Sequence, residues 1–248
     1  MSDEIESTHQ QSWMELIRQR TPARIYTGRV GGAYLTSTQL QLRQDHAAAR
    51  DAVQAELALD PAFCEAHQLF EVRTQATSKA EYLLRPDRGR MLTESARERI
   101  RIGCHRCEVQ VIIGDGLSAT AVATQVPQML PLLTDNGLSW GQPFVIRYAR
   151  VGVLNELGPL IDADVFVLLI GERPGLATAE SLSAYMAYRP QAQHTDAQRN
   201  LLSNIHARGV TPEAAVRRII ALIRQMQHHR SSGIAIKEEA GMHEELAP

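Results

Sequence analysis

Glu172 and Arg173 are the residues best placed for chemistry in this sequence. They follow an unbroken apolar run, Val165-Phe-Val-Leu-Leu-Ile170, and are hemmed in by Gly171 before them and Pro174-Gly175 after. A run that is apolar at every position, with four of its six residues β-branched or aromatic, predicts a strand buried on both faces, as in the middle of a parallel sheet. Glycine and proline end the strand abruptly, leaving the two charges at its carboxyl end, where open α/β sheets bind ligands. A carboxylate there is costly unless it is bonded. Glu172 therefore either pairs internally, with Arg173 or another arginine, or accepts hydroxyl and amide hydrogens from a polar ligand.

Three other clusters have chemical potential. Gly114-Asp-Gly-Leu-Ser-Ala119 has the form G-x-G-x-x-A between a predicted strand and helix, the context of a dinucleotide fingerprint. Two features count against that use. Asp115 would place a carboxylate beside a pyrophosphate, and Arg147 and Arg150 stand where a ribose-binding acid is needed. The same residues serve as a tight, closely packed turn or as a loop that meets a larger ligand. Cys104-His-Arg-Cys107 is a C-x-x-C string. Zinc would require two further ligands at motif spacing, and a redox pair belongs after a strand rather than before one, so a structural role is expected. Ser203-Asn-Ile-His206 offers compact hydrogen-bonding groups suited to holding buried backbone or contacting a ligand. The chain has no G-x-x-x-x-G-K-[ST], G-x-S-x-G or H-E-x-x-H string, so it shows none of the corresponding phosphate-loop, hydrolase or zinc-peptidase chemistries.

The elements that must position these residues follow from periodicity. Residues 36–101 read as helical: Thr38 to about Leu59, a stop or restart at Pro61, Tyr82-Leu-Leu84 closed by Arg85-Pro86, and Thr93 to about Ile102 with Thr93 as cap. From Cys107 the period changes. Glu108–Ile113, Phe144–Tyr148 and Val165–Ile170 are predicted strands. Ala119–Leu133 is a helix kinked or interrupted by Pro127, and Asn155–Ile161 is a short helix. Ser181–Tyr188 leans towards strand. Pro212 to about Gln227 is an amphipathic helix capped by Thr211, and Gly233–Ile236 reads as a last strand. Alternating strands and helices predict an α/β fold with a doubly wound, mostly parallel, Rossmann-like sheet and an N-terminal helical extension.

Composition sets the outer bounds. The chain has 248 residues, 44% of them hydrophobic but only 5% aromatic, so aliphatic side chains must build the core. A net charge of −2 does not suit a nucleic-acid binder. No stretch approaches the apolar length of a membrane span, and the acidic N-terminus lacks a secretory apolar region, which leads to the expectation of a cytoplasmic protein.

Several collinear blocks resemble one family. They include Thr21-Pro-Ala-Arg24, Asp45-His-Ala47, Arg85-Pro-Asp87 with Gly89-Arg90, Val111–Ala119, Gly171-Glu-Arg-Pro-Gly-Leu176, Ser203-Asn-Ile-His206 and Ser232-Gly-Ile234. From about Thr21 to about Lys237 the chain is similar to the small (light) subunit of ethanolamine ammonia-lyase. The resemblance implies adenosylcobalamin as cofactor, bound base-on with the cobalt not ligated by this chain. It also implies a large catalytic subunit as partner, assembled as six large–small pairs, and conversion of ethanolamine to acetaldehyde and ammonia. The family positions matching Val151, Glu172 and Leu201 contact the cofactor, and no catalytic group is assigned to this chain. Leu201 departs from the family, which carries cysteine in Arg-x-Cys-x-Ser-Asn-Ile. The implied organisation is an N-terminal segment 1–20, which in some bacteria directs the enzyme into a microcompartment, then a helical region 21–103, a cofactor-contacting unit 104–237 and a disordered tail 238–248. The alternatives from other classes are a freestanding nucleotide-dependent oxidoreductase using Gly114–Ala119, and a purely structural subunit.

Overall fold

The structure is a computed structural model that describes residues 13–21, 23–134, 137–175 and 178–238. It is an α/β fold built on one six-stranded mixed sheet, ordered β3-β5-β4-β6-β7-β8. The strands are β3 (Phe70–Arg73), β4 (Cys107–Gly114), β5 (Phe144–Arg147), β6 (Ala163–Gly171), β7 (Leu182–Tyr188) and β8 (Asn200–Ile205). The first four in this order pair in parallel. β7 pairs antiparallel with both β6 and β8, so the sheet is mostly parallel, as expected, but mixed, with β7 reversed. Residues 172–181 separate β6 from β7, too few for the crossover that a parallel pair needs.

Both faces of the sheet are covered, which explains the uniform apolar run. Val165, Val167 and Leu169 pack with α6 (Ala119–Thr134) and α8 (Pro212–His229). Phe166, Leu168 and Ile170 pack on the opposite face with α5 (Glu94–Gly103) and α7 (Leu154–Leu157). Adjacent residues of one strand thus enter two different cores.

The sequence signals for helix ends are realised as bonds. The Thr93 hydroxyl accepts from Ala96 N, and the Thr211 hydroxyl accepts from Ala214 N. Helix α6 continues through both Pro127 and Pro131 instead of breaking. Proline in a helix interior costs about 3 kcal/mol, and this helix offsets it by burying Val126, Met129, Leu130 and Leu133 completely.

Two expectations are corrected. The stretch 36–101 is not all helical. It forms α2 (Thr36–Gln54), α3 (Pro61–Ala66) and α4 (Lys79–Leu84), but also edge strand β3, whose Phe70 stacks on Phe144 with ring centroids 5.0 Å apart. Phe70-Glu-Val-Arg73 alternates apolar and charged residues, as a half-exposed edge strand does. Gly233–Ile236 is no strand. Residues Gly233–Ala235 form a 3-10 turn in which Gly233 has φ +77°, and the Asn200 side chain ties down Gly233 N, Gly233 O and Ile236 O. Before the sheet lies an exposed arm: helix α1 described over residues 13–19, the hairpin of β1 (Arg29–Val30) and β2 (Ala33–Tyr34), and α2, whose only buried residue is Ala52. Of the tail, Glu238 is ordered by a two-pronged ion pair with Arg218. Residues 1–12 and 239–248, including most of both predicted terminal segments, lie outside the described residues.

The carboxyl ends of β4 and β6 are fastened by direct backbone contact. Leu117 N donates to Gly171 O at 3.0 Å, and a Cβ on Gly116 would lie 2.3 Å from that same oxygen. Gly116 also has φ +59°, a region other residues enter only at a cost. Gly116→Ala should therefore lower unfolding stability by at least about 2 kcal/mol, measured by chemical denaturation. An unchanged denaturation midpoint would show that this contact is dispensable.

Candidate functional site

The carboxyl ends of β4, β5 and β6 open on a cleft of about 390 Å³. Its lining includes Gly116, Arg150, Ile170 and Tyr185, together with Val151, Glu172 and Leu201. The structure thus brings the three sequence-derived positions around one opening, although they lie on three different elements. Val151 begins a 3-10 turn after β5, Glu172 follows β6 directly, and Leu201 lies on edge strand β8 opposite Tyr185 of β7. Leu201 is 49% exposed and presents bare apolar surface at the rim.

Glu172 makes no ion pair among the described residues, and Arg173 stands exposed at the cleft mouth. The carboxylate is held by neutral donors instead. Oε2 accepts from the Ser181 hydroxyl at 2.7 Å. Oε1 accepts from the Ser183 hydroxyl at 2.6 Å and from Asn204 N at 2.8 Å. A carboxylate has roughly four acceptor positions. Three are filled, so Oε2 keeps one for a donor arriving from the cleft. Ser181 and Ser183 were not legible as partners from sequence; their one signal is i, i+2 spacing, which puts both on one face of the extended chain entering β7.

Asp115 does not face the cleft. It is wholly buried, and its two oxygens accept Tyr148 N and Ala149 N, each at 2.9 Å. Burial pushes its pKa up, against the opposing pull of Lys79 and these N–H donors. The Lys79 ammonium is also buried; it donates to Gly116 O at 3.2 Å, and burial pushes its pKa down. The G-x-G-x-x-A string is therefore a packed turn. Gly171 O occupies the space beside Gly116 where a pyrophosphate would have to approach, which removes the geometric basis for the dinucleotide reading.

The two C-x-x-C thiols are free, and burial pushes them up to about 12 for Cys104 and about 11 for Cys107. Thiols this far above neutrality stay protonated and unreactive. Among the described residues no group of His, Cys, Asp and Glu is arranged to hold a metal ion.

Ser203-Asn-Ile-His206 is a relay that steadies Glu172. Asn204 takes a left-handed conformation, φ +61°. Its N–H donates to Glu172, and its side-chain oxygen lies 2.8 Å from His206 Nε2. His206 Nδ1 accepts from Arg208 N, so the neutral ring with hydrogen on Nε2 satisfies both partners. Burial first, then the nearby Arg208 charge, push the His206 pKa down from 6.5. A depressed histidine pKa means that the folded state favours the neutral ring. The associated stability is present above about pH 6.5 and is lost as pH falls below it. Unfolding free energies measured at pH 7.5 and 5.5 should therefore converge in His206→Gln relative to the parent chain. Equal pH dependence in both would remove this linkage.

Comparison with known proteins covers the same elements. The family model for the ethanolamine ammonia-lyase light chain matches residues 10–237. The ethanolamine ammonia-lyase small subunit of Clostridium perfringens is 39% identical over 232 residues, 92% of this chain and 78% of the relative. That of Lachnoclostridium phytofermentans is 41% identical, covering 89% and 76%. That of Clostridium acetobutylicum is 38% identical, covering 88% and 91%. With the match running through the whole sheet and the cleft at its carboxyl end, the chain belongs to the ethanolamine ammonia-lyase small-subunit family.

Proposed function

We propose that this chain binds part of adenosylcobalamin in the cleft around Glu172, at an interface with the large subunit, and that the complex converts ethanolamine to acetaldehyde and ammonia. The observation that carries the reading is the convergence of Val151, Glu172 and Leu201 on one cleft, with one acceptor position of Glu172 still open. These residues fit the proposed group. A corrinoid presents amide N–H and ribose hydroxyl donors on an otherwise apolar body. Glu172 offers an acceptor, and Val151, Ile170 and Leu201 offer apolar walls. A cleft of about 390 Å³ encloses only a portion of such a cofactor, leaving the rest to the partner. Leucine in place of the family cysteine at position 201 keeps an apolar contact and gives up any contact that needs sulfur.

When bound, the cofactor supplies radical chemistry, and the protein supplies binding and orientation. In this reading residues 104–237, Rossmann-like where their strands run parallel, form most of the cofactor-contacting unit, to which region 21–103 adds edge strand β3 and Tyr82. No group of this chain acts as catalytic acid, base or nucleophile, and the cobalt keeps the cofactor's own base. Among the described residues no helix is long and apolar enough to cross a membrane. Assembly as six pairs, and delivery into a microcompartment by residues 1–20, belong to the same proposal.

The first test is a spectroscopic titration of adenosylcobalamin into this chain co-expressed with a large subunit, followed by ethanolamine. Saturable binding with base-on spectra and cobalt–carbon cleavage on substrate addition is the expected result. A well-assembled complex that binds nothing would leave the structural-subunit reading. Glu172→Ala should weaken cofactor affinity about tenfold, the loss of one hydrogen bond to a charged group, while the complex still assembles. Unchanged affinity would count against Glu172. Deleting residues 1–20 should abolish encapsulation in a microcompartment-forming host; unchanged packaging would sink that assignment.

A further inference from the structure

The Glu172 cleft runs past Val151 into a larger one of about 860 Å³; the two share Arg150, Val151 and Tyr185. Five arginines line the larger cleft: Arg90, Arg97, Arg101, Arg150 and Arg199. Three are neutralised by carboxylates. Arg97 meets Glu94 and Glu156, Arg101 meets Glu94 and Glu98, and Arg199 meets Asp196. Arg90 and Arg150 pair with no carboxylate among the described residues.

Arg150 is nevertheless firmly held. Its guanidinium lies over the Tyr82 ring, 4.2 Å from the centroid, and Nη2 donates to Tyr82 O at 3.1 Å. Its Nε is buried without an acceptor. Tyr82 is itself buried, its hydroxyl donating to Ala149 O at 3.1 Å, so the surface beneath the guanidinium is rigid. The stems of the two arginines cross reciprocally over glycines. A Cβ on Gly89 would come within 2.7 Å of Arg150 Cγ, and one on Gly152 would lie 3.0 Å from Arg90 Cγ and Cδ. Arg150 N donates to Gly89 O at 2.7 Å and locks the two segments together.

A partly desolvated cation without a counter-charge is unfavourable in the free chain and favourable once an anion arrives. Stacking fixes the plane of the fork, so little entropy is lost when it engages two oxygens. Planar bidentate recognition of this kind suits phosphate oxygens. We propose that Arg150, supported by Arg90, is a binding site for a phosphodiester, and that its occupant is the phosphodiester of the cofactor's nucleotide arm. This rests on the cobalamin reading above. It adds a charge contact where the two clefts meet, so that the cofactor is gripped by a guanidinium as well as by the Glu172 carboxylate.

The test uses the co-expressed complex with no substitution, with Arg150→Met and with Arg90→Met; methionine keeps an apolar stem and removes the charge. Each is titrated spectroscopically with adenosylcobalamin and with adenosylcobinamide, which lacks the nucleotide arm and its phosphodiester, at two salt concentrations. Arg150→Met should weaken adenosylcobalamin binding about ten- to a hundredfold, as expected for a lost charge-assisted contact, and should flatten its salt dependence. Arg90→Met, an exposed position that leaves the packing intact, should show a smaller loss in the same direction. Adenosylcobinamide should bind the parent and variant complexes alike. Equal adenosylcobalamin affinity in all three intact complexes would overturn the site while leaving the cobalamin reading in place. Parallel loss for both ligands, with subunit dissociation in sedimentation, would overturn it in favour of an ion pair to a carboxylate of the large subunit. A parent complex that binds neither ligand would overturn both.

Discussion

Everything at the mouth of the sheet depends on how closely three strand ends are held together. Gly116 and Gly171 let the backbones after β4 and β6 touch, with a hydrogen bond of 3.0 Å between them. Asp115, next in line, spans to β5 by accepting Tyr148 N and Ala149 N. Two glycines and one buried carboxylate thus set the spacing of β4, β5 and β6 where the parallel ladder runs out. That spacing fixes the distance from Val151 to Glu172, and hence the width of the cleft. The arrangement is costly in isolation, since a buried carboxylate is a liability unless its lone pairs are satisfied. Backbone donors and the nearby Lys79 ammonium meet that requirement here.

Glu172 solves a similar problem with different partners. It also follows a central strand, yet its bonds come from the antiparallel half of the sheet: two hydroxyls near or on β7 and one N–H on β8. The reversal of direction at β7 is what makes this possible. An antiparallel neighbour begins where β6 ends, so Ser181 and Ser183 stand beside the carboxylate. A parallel strand there would have placed its own carboxyl end, and a connection leaving the sheet, in that position. The mixed sheet is therefore part of the site.

The sequence was most legible where one element determines its own surroundings. Val165–Ile170 could be read as doubly buried because a central strand takes apolar residues at every position and Gly171 and Pro174 end the run at strand length. Thr93 and Thr211 were readable as caps because their partners are three residues away. Legibility failed where partners are distant. Asp115 lies 33 and 34 residues from the N–H groups it accepts, so the sequence left its glycine-rich string open between a packed turn and a ligand loop and could not show its side chain pointing inward. Strand β3 is four residues long on a sheet edge, too short to carry a period. Gly233–Ile236 has a strand-like composition, but a side chain from β8 captures its backbone before it can join a ladder. Family resemblance singled out three positions that the fold gathers around one cleft, whereas the hydroxyls that hold Glu172 were not accessible by any local pattern.

The cleft's polar groups are immobilised before anything binds. Glu172 is fixed by three bonds, and Asn204, which supplies one of them, is fixed in turn by His206. Arg150 is held by an aromatic face and a backbone carbonyl. Ordering a free glutamate or arginine would cost about 0.5–1.5 kcal/mol for each side chain, and that cost falls on folding rather than on binding. The apolar parts of the opening are arranged differently: Leu201 is left half exposed on an edge strand, where apolar area gains free energy only when it is covered. Directional groups that are rigid and apolar groups that wait for a cover are what the proposed interface site requires. In that reading the rigid polar groups set orientation, and a covering surface gains the free energy of the apolar area left exposed.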